Sequence, residues 1–206
     1  MVEPALELAV AWGPAGRLVL TSLAIMGSPG PATISLVAAG SAHGARRSLP
    51  YLAGIVAGTG VVLLAVATGL TGVLLAVPAL RDVLLGLSAA YIVWLAWHIA
   101  TAPPQSGTAA SARPPSFAAG FGLAVANPKA WVAIAAVFSG VRLAHGVSSD
   151  AAAKVVVLSG MIVLINVVWL FAGASLAPLL RDPRRSRIVN VTLAVALLAA
   201  TALVFV

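Results

Sequence analysis

Lys129 is the only lysine or arginine well inside an apolar stretch of this chain, twelve residues past Phe117 and thirteen before Arg142. At ~1.5 Å per helical residue, ~18–20 Å separates it from either end, which puts it near the middle of a bilayer. A charged side chain there costs at least ~2.5–3.5 kcal/mol on insertion scales. The surface is ~15 Å away, beyond the full reach of a snorkelling lysine. An amine kept at such a depth can bind a carboxylate while charged and release it on losing a proton. Three partners are open to it: backbone carbonyls freed by Pro128, a substrate carboxylate, or none, in which case the amine is neutral. The five acids (Glu3, Glu7, Asp82, Asp150 and Asp182) all read as terminal or loop residues.

Lys129 belongs to one of two interruptions of apolar sequence, Asn127-Pro128-Lys129; the other is Ser28-Pro29-Gly30-Pro31. Proline removes a backbone donor and glycine loosens a helix, so both runs should break at membrane depth. Irregular backbone there is tolerated only where protein buries it or a cavity receives it. A half-helix starting after Pro31 would aim N–H groups and its positive dipole end at an anion, with the hydroxyls of Ser28 and Thr33 at hand. The plainer alternative is a proline kink packed on its neighbours. Asn127 suits a helix cap or a ligand contact equally. Asn166 suits hydrogen bonding between helices before ligand binding, and Thr59, among Gly54, Gly58 and Gly60, suits close helix packing. The candidate substrate-binding set is Ser28, Pro29, Gly30, Pro31, Thr33, Thr59, Asn127, Pro128, Lys129 and Asn166.

Six apolar segments must position these residues: about 9–40, 51–77, 83–101, 117–141, 155–180 and 188–206. The first is too long for one straight crossing, and a break at Pro29–Pro31 or an interfacial start before Arg17 removes the excess. The stretch 102–116, rich in Pro, Ser, Gly and Ala, reads as a linker between halves of about 1–101 and 117–206. The two breaks stand at an offset of 97 residues, Pro31 to Pro128. Val77-Pro78-Ala79-Leu80-Arg81-Asp82 is echoed by Ala177-Pro178-Leu179-Leu180-Arg181-Asp182. Both features support a repeat. Three helices per repeat is odd, so the halves must be inserted with opposite orientation. The expected fold is an all-α integral membrane domain of six transmembrane helices, two inverted three-helix repeats with helices one and four broken. Arg46, Arg47, Arg113, Arg181, Arg184, Arg185 and Arg187 gather on one side, against Arg17, Arg81, Arg142 and Lys154 on the other. That bias places the first set in the cytoplasm and both termini outside.

Composition agrees. Of 206 residues, 61% are hydrophobic and 8% charged, with a mean hydropathy of +1.08. Soluble domains carry roughly 25% charged residues, and no room is left here for a soluble catalytic domain. Apart from Lys129, the twelve Lys and Arg lie in short segments between apolar runs, which is not the basic face of a nucleic-acid-binding module. The absence of cysteine excludes disulfides and thiol redox relays. His43, His98 and His145 are too scattered for a metal-binding tract. Glu3 and Glu7 precede the first apolar run without a basic region, so a cleaved signal peptide is not expected. Tyr91, Trp94, Trp97 and His98 read as an interfacial belt.

On Pro29-Gly30-Pro31 and Asn127-Pro128-Lys129, with the following Gly44-Ala45-Arg46-Arg47 and Gly54-Ile55-Val56-Ala57-Gly58, the chain resembles the LysE/RhtB family of amino-acid exporters. Residues 89–101 and Arg187-Ile188-Val189-Asn190 resemble its cysteine/O-acetylserine exporter branch most closely. The resemblance implies six helices in the bacterial inner membrane and proton-driven efflux of small amino acids or their derivatives. Two positions depart from the family pattern. Ala32 stands where members often carry Asn, and Thr59 where some relatives carry an acid. The expected partners are a small amino acid or derivative, protons and membrane lipid. Homo-oligomerisation is compatible with this reading, and no cofactor or nucleic acid is expected. A metal-ion exporter and a non-transporting membrane scaffold are the competing readings.

Overall fold

A computed structural model describes residues 13–69, 78–101, 114–178 and 182–205. The described residues form eight helices and no strand: α1 (Pro14–Ile25), α2 (Pro31–Arg47), α3 (Leu49–Ala67), α4 (Pro78–Ala100), α5 (Phe117–Ala126), α6 (Pro128–Gly140), α7 (Val147–Ser175) and α8 (Pro183–Phe205). Most of the expected linker, the start of the first apolar segment, the end of the second and part of the second Pro-Leu-Arg echo lie outside the described residues.

Proline occupies the first or second position of α1, α2, α3, α4, α6 and α8. Its missing N–H costs nothing there and its fixed φ suits a helix start. Ser116 opens α5 by accepting the N–H of Ala119 at 3.2 Å. The chain leaves helix at both motifs singled out above. Residues 26–30 separate α1 from α2, and Asn127 alone separates α5 from α6, where the axis bends by 61°. Helices α3 and α7 are each long and apolar enough to cross a membrane; α5 and α6 qualify together as one bent span.

Several boundaries differ from expectation: α4 starts at Pro78 rather than 83, which puts Asp82 in a helix rather than a loop, and α8 starts at Pro183 rather than 188. Helix α3 stops at Ala67 rather than continuing to 77, because Gly69 adopts a left-handed φ of 76° and donates to Val66 O. Gly44, at φ 77°, likewise breaks the end of α2. Helix α7 begins eight residues before the expected 155, so Asp150 is not a loop residue. It sits in the first turn of α7, accepts the N–H groups of Leu143 and Ala144, and pairs with Lys154 at 2.7 Å. A carboxylate suits the positive end of a helix, and this one also secures the connection from α6.

The halves of the chain interleave. Helix α3 packs most extensively on α5, α2 on α7, and α4 on α8. At the first two seams, glycines let backbones touch. A Cβ on Gly54 would strike the Phe117 carbonyl, one on Gly120 the Tyr51 carbonyl, one on Gly40 the Leu170 carbonyl, and one on Gly173 the backbone of Val37. Gly54 and Gly58 therefore do serve close packing, with α5 as the partner.

Two apolar clusters cross these helices at different heights. One joins Leu36, Tyr51, Ile55, Leu123 and Leu170; the other joins Leu18, Val62, Leu63, Ile134, Leu158 and Ile162. Along α3, Thr59 falls between the clusters, and along α7 so does Asn166. A polar layer is thus held between two greasy ones.

Candidate functional site

The two breaks meet in this layer. Lys129 projects from the first turn of α6 to the end of α1, about a hundred residues away in sequence. Its ammonium donates to the carbonyl of Ser28, to Ser28 Oγ at 2.8 Å and to the Pro29 carbonyl at 2.9 Å. All three ammonium hydrogens have oxygen acceptors. The carbonyls that receive Lys129 therefore come from the opposite break, not from the one Pro128 creates.

The prolines leave further carbonyls of the first break without donors. Pro29 and Pro31 cannot donate back into the helix, so the carbonyls at the end of α1 need other donors. Ser28 Oγ donates to Ile25 O at 2.7 Å while receiving Lys129, and the indole of Trp169 donates to Gly27 O at 3.1 Å. The second break repeats the solution. The backbone N–H of Lys129 goes to Asn127 Oδ1 at 3.2 Å, so Val125 O is served by the indole of Trp131 at 2.8 Å. Asn127 is thereby a cap, and it is buried. Trp131 and Trp169 were not singled out by the sequence reading. The available signal was an indole far from either end of an apolar run, whose N–H must find a partner.

Gly30 makes room for the lysine. Its backbone is extended, at φ −170° and ψ −179°, a conformation any residue adopts. A Cβ there, however, would lie 2.6 Å from Lys129 Cδ and 3.0 Å from Nζ. Thr33 is committed to the start of α2: its Oγ1 accepts the N–H of Gly30 at 2.9 Å and donates to Gly30 O at 3.1 Å. Thr33 thereby takes the N–H of Gly30, which lies just ahead of the anion-facing groups anticipated after Pro31. Those of Ala32 and Thr33 remain without a partner within the helix.

Gly30, Thr33, Thr59, Asn127, Lys129 and Asn166 line one cavity of about 50 Å³, closed on its other sides by Met26 and by alanines and isoleucines of α2, α6 and α7. Ser28 and Pro29 hold the lysine, while Pro31 and Pro128 start the half-helices. Small-molecule sites run to ~300–1,000 Å³, so this cavity is nearly collapsed around Lys129. Among the described residues Asn166 makes no bond between helices: its Nδ2 donates to Ile162 O of its own helix at 2.7 Å. Among the described residues no three His, Asp, Glu or Cys side chains gather as a metal ion requires.

A second cavity of about 330 Å³ opens at the end of the bundle carrying Arg46 and Arg47, lined by His43, Tyr51, His98, Pro115 and Asn190 among others. Trp94 and Trp97 are 50% and 68% exposed nearby, as side chains facing lipid headgroups would be.

The family model described as LysE type translocator matches residues 23–206. A cysteine/O-acetylserine efflux protein of Escherichia coli (strain K12) is 34% identical over 179 residues, 86% of this chain and 90% of that protein. The protein of the same description from Salmonella typhimurium is 40% identical over 102 residues, 50% of this chain and 52% of that one. One from Klebsiella pneumoniae is 39% identical over 103 residues. The match to the Salmonella and Klebsiella relatives spans about half of their length. No solved structure matches the chain significantly.

Proposed function

Given that the chain belongs to the LysE translocator family, we propose that it exports small amino acids or their derivatives across the bacterial inner membrane, driven by the proton gradient. Relatives named for cysteine and O-acetylserine point to substrates of that size. The proposed architecture is six spans in two inverted repeats, 1–101 and 117–206 joined by 102–116, with both termini outside and the end carrying Arg46 and Arg47 in the cytoplasm.

One observation carries the reading. An ammonium group at the depth of two broken helices is bound by three uncharged oxygens and, among the described residues, by no carboxylate. Those oxygens satisfy its hydrogen bonds but leave its charge uncompensated, so an incoming carboxylate offers a better partner. Lys129 leaves Ser28 and Pro29 for the substrate carboxylate, and the half-helix α2 moves aside to widen the cavity. Loss of the lysine proton on the far side removes the attraction and frees the substrate. Ala32 and Thr33 present their N–H groups to the same carboxylate.

Vesicles loaded with L-cysteine, assayed with and without a pH gradient, test this. Lys129→Ala should insert normally and export nothing. Lys129→Arg should also fail, because arginine does not deprotonate in a protein. Undiminished, gradient-dependent efflux by the Ala variant would refute the assignment.

A further inference from the structure

Asn166 carries an acceptor that the protein leaves unpaired. Its Nδ2 donates to Ile162 O at 2.7 Å, and only the NH₂ end of an amide can do that, so the remaining head atom is Oδ1. The residue is 6% exposed, and no donor among the described residues reaches that oxygen. An unpaired carbonyl in an apolar interior is destabilising. The neighbours of Asn166 on α7 are Val163, Leu164, Ile165, Val167 and Val168, and a leucine in its place would avoid the penalty.

The same cavity contains the lysine already assigned to the substrate carboxylate. Two of its other acceptors are engaged, since Asn127 Oδ1 caps α6 and the Thr33 hydroxyl closes on Gly30, and the Thr59 hydroxyl completes the polar lining. Among the described residues no carboxylate lines it. An α-amino acid brings an ammonium beside its carboxylate, and an ammonium has three donors to place.

We propose that Asn166 Oδ1 accepts the α-ammonium of the exported molecule and so separates α-amino acids from plain carboxylates. The assignment rests on the reading that Lys129 takes the carboxylate. A neutral amide holds an ammonium by ion–dipole attraction, with no salt bridge to break on release. Recognition of a donor by a buried acceptor is also discriminating, because an analogue lacking the donor leaves the acceptor unpaired.

The test uses the full chain in proteoliposomes, loaded with L-cysteine or with 3-mercaptopropionate, the same molecule without its amino group. Wild-type protein should export cysteine at least tenfold faster. In Asn166→Leu, cysteine export should fall roughly 10–100-fold, the range of one hydrogen bond to a charged group. Export of 3-mercaptopropionate should hold or rise, and the variant should melt no lower than wild type. Cysteine export at the wild-type rate, equal losses for both compounds, a clearly lowered melting temperature, or wild-type protein that fails to discriminate would each overturn the assignment. The Lys129→Ala variant keeps the two readings apart. If it exports cysteine normally the carboxylate assignment fails, whereas unchanged discrimination in Asn166→Leu sinks only the role given to Asn166.

Discussion

Gly30→Ala isolates the space that Lys129 occupies from every other property of the break. The extended backbone at residue 30 accepts alanine without strain. The new methyl would lie 2.6 Å from Lys129 Cδ, 3.3 Å from Cε and 3.0 Å from Nζ, against ~3.5–4.0 Å for comfortable carbon contacts. The lysine must retreat by about 1 Å. Its bonds of 2.8 Å to Ser28 Oγ and 2.9 Å to Pro29 O then stretch beyond useful range. Losing one hydrogen bond to a charged group costs ~1.5–3 kcal/mol. The stiffer unfolded chain returns only ~0.4–1 kcal/mol. A net destabilisation of roughly 1–2 kcal/mol should appear as a lower melting temperature in detergent. Because the substrate carboxylate replaces these same bonds, cysteine efflux from loaded vesicles should reach half-saturation at a roughly tenfold lower concentration. Gly60→Ala is the control: it stands beside Thr59, but a Cβ there meets nothing within 4 Å, so stability and efflux should be kept. If Gly30→Ala both melts and exports like wild type, the fit between glycine and lysine has no bearing on the site.

Trp169→Phe keeps the ring but removes the donor to Gly27 O, so the variant should lose ~1–3 kcal/mol of stability; Trp97→Phe, on the exposed surface of α4, should melt as wild type does. Asp150 lies where α7, 29 residues or roughly 43 Å long, overhangs a ~30 Å hydrocarbon core. The hydrogen bond from Lys154, then that from Leu143 N, hold its carboxyl down from 3.8 to about 2. Because the folded value lies below the unfolded one, its contribution to stability is present above about pH 4 and is lost as pH falls toward 2. Melting curves should therefore decline more steeply across that window for wild type than for Asp150→Asn, and parallel curves would show that the carboxylate does not secure the α6–α7 connection.

Both breaks were legible because proline acts locally: it lacks an N–H whatever surrounds it, and Pro31 and Pro128 start helices where the sequence placed them. The cavity residues Thr59 and Asn166 were legible as polar residues inside apolar runs. What meets what was not legible. That Lys129 lies on Ser28 and Pro29, rather than on the carbonyls its own break frees, depends on how α1 and α6 pack, and no local pattern encodes that. Trp131 and Trp169 were overlooked because a tryptophan in an apolar run resembles ordinary packing until its N–H is given a destination. Asp150 read as loop because charge near a span edge resembles solvent exposure. It belongs to a helix because Lys154, one turn on, neutralises it.

The glycine contacts have a consequence for the surrounding lipid. Gly40, Gly54, Gly120 and Gly173 all bring backbone against backbone near the end of the bundle that carries Arg46 and Arg47. At these four points the contact is backbone on backbone, beside the side-chain cluster of Leu36, Tyr51, Ile55, Leu123 and Leu170. In a bilayer no hydrophobic effect holds these helices, because hydrocarbon is as good a solvent for the exposed face as a neighbouring helix. What parting forfeits is close van der Waals contact, and an acyl chain sliding into the shallow furrow over a glycine restores part of it. Lipid tails thus compete with α5 and α7 for the same strips of α3 and α2. The balance between closed and parted seams is then set partly by the order and saturation of the membrane in which the protein is dissolved.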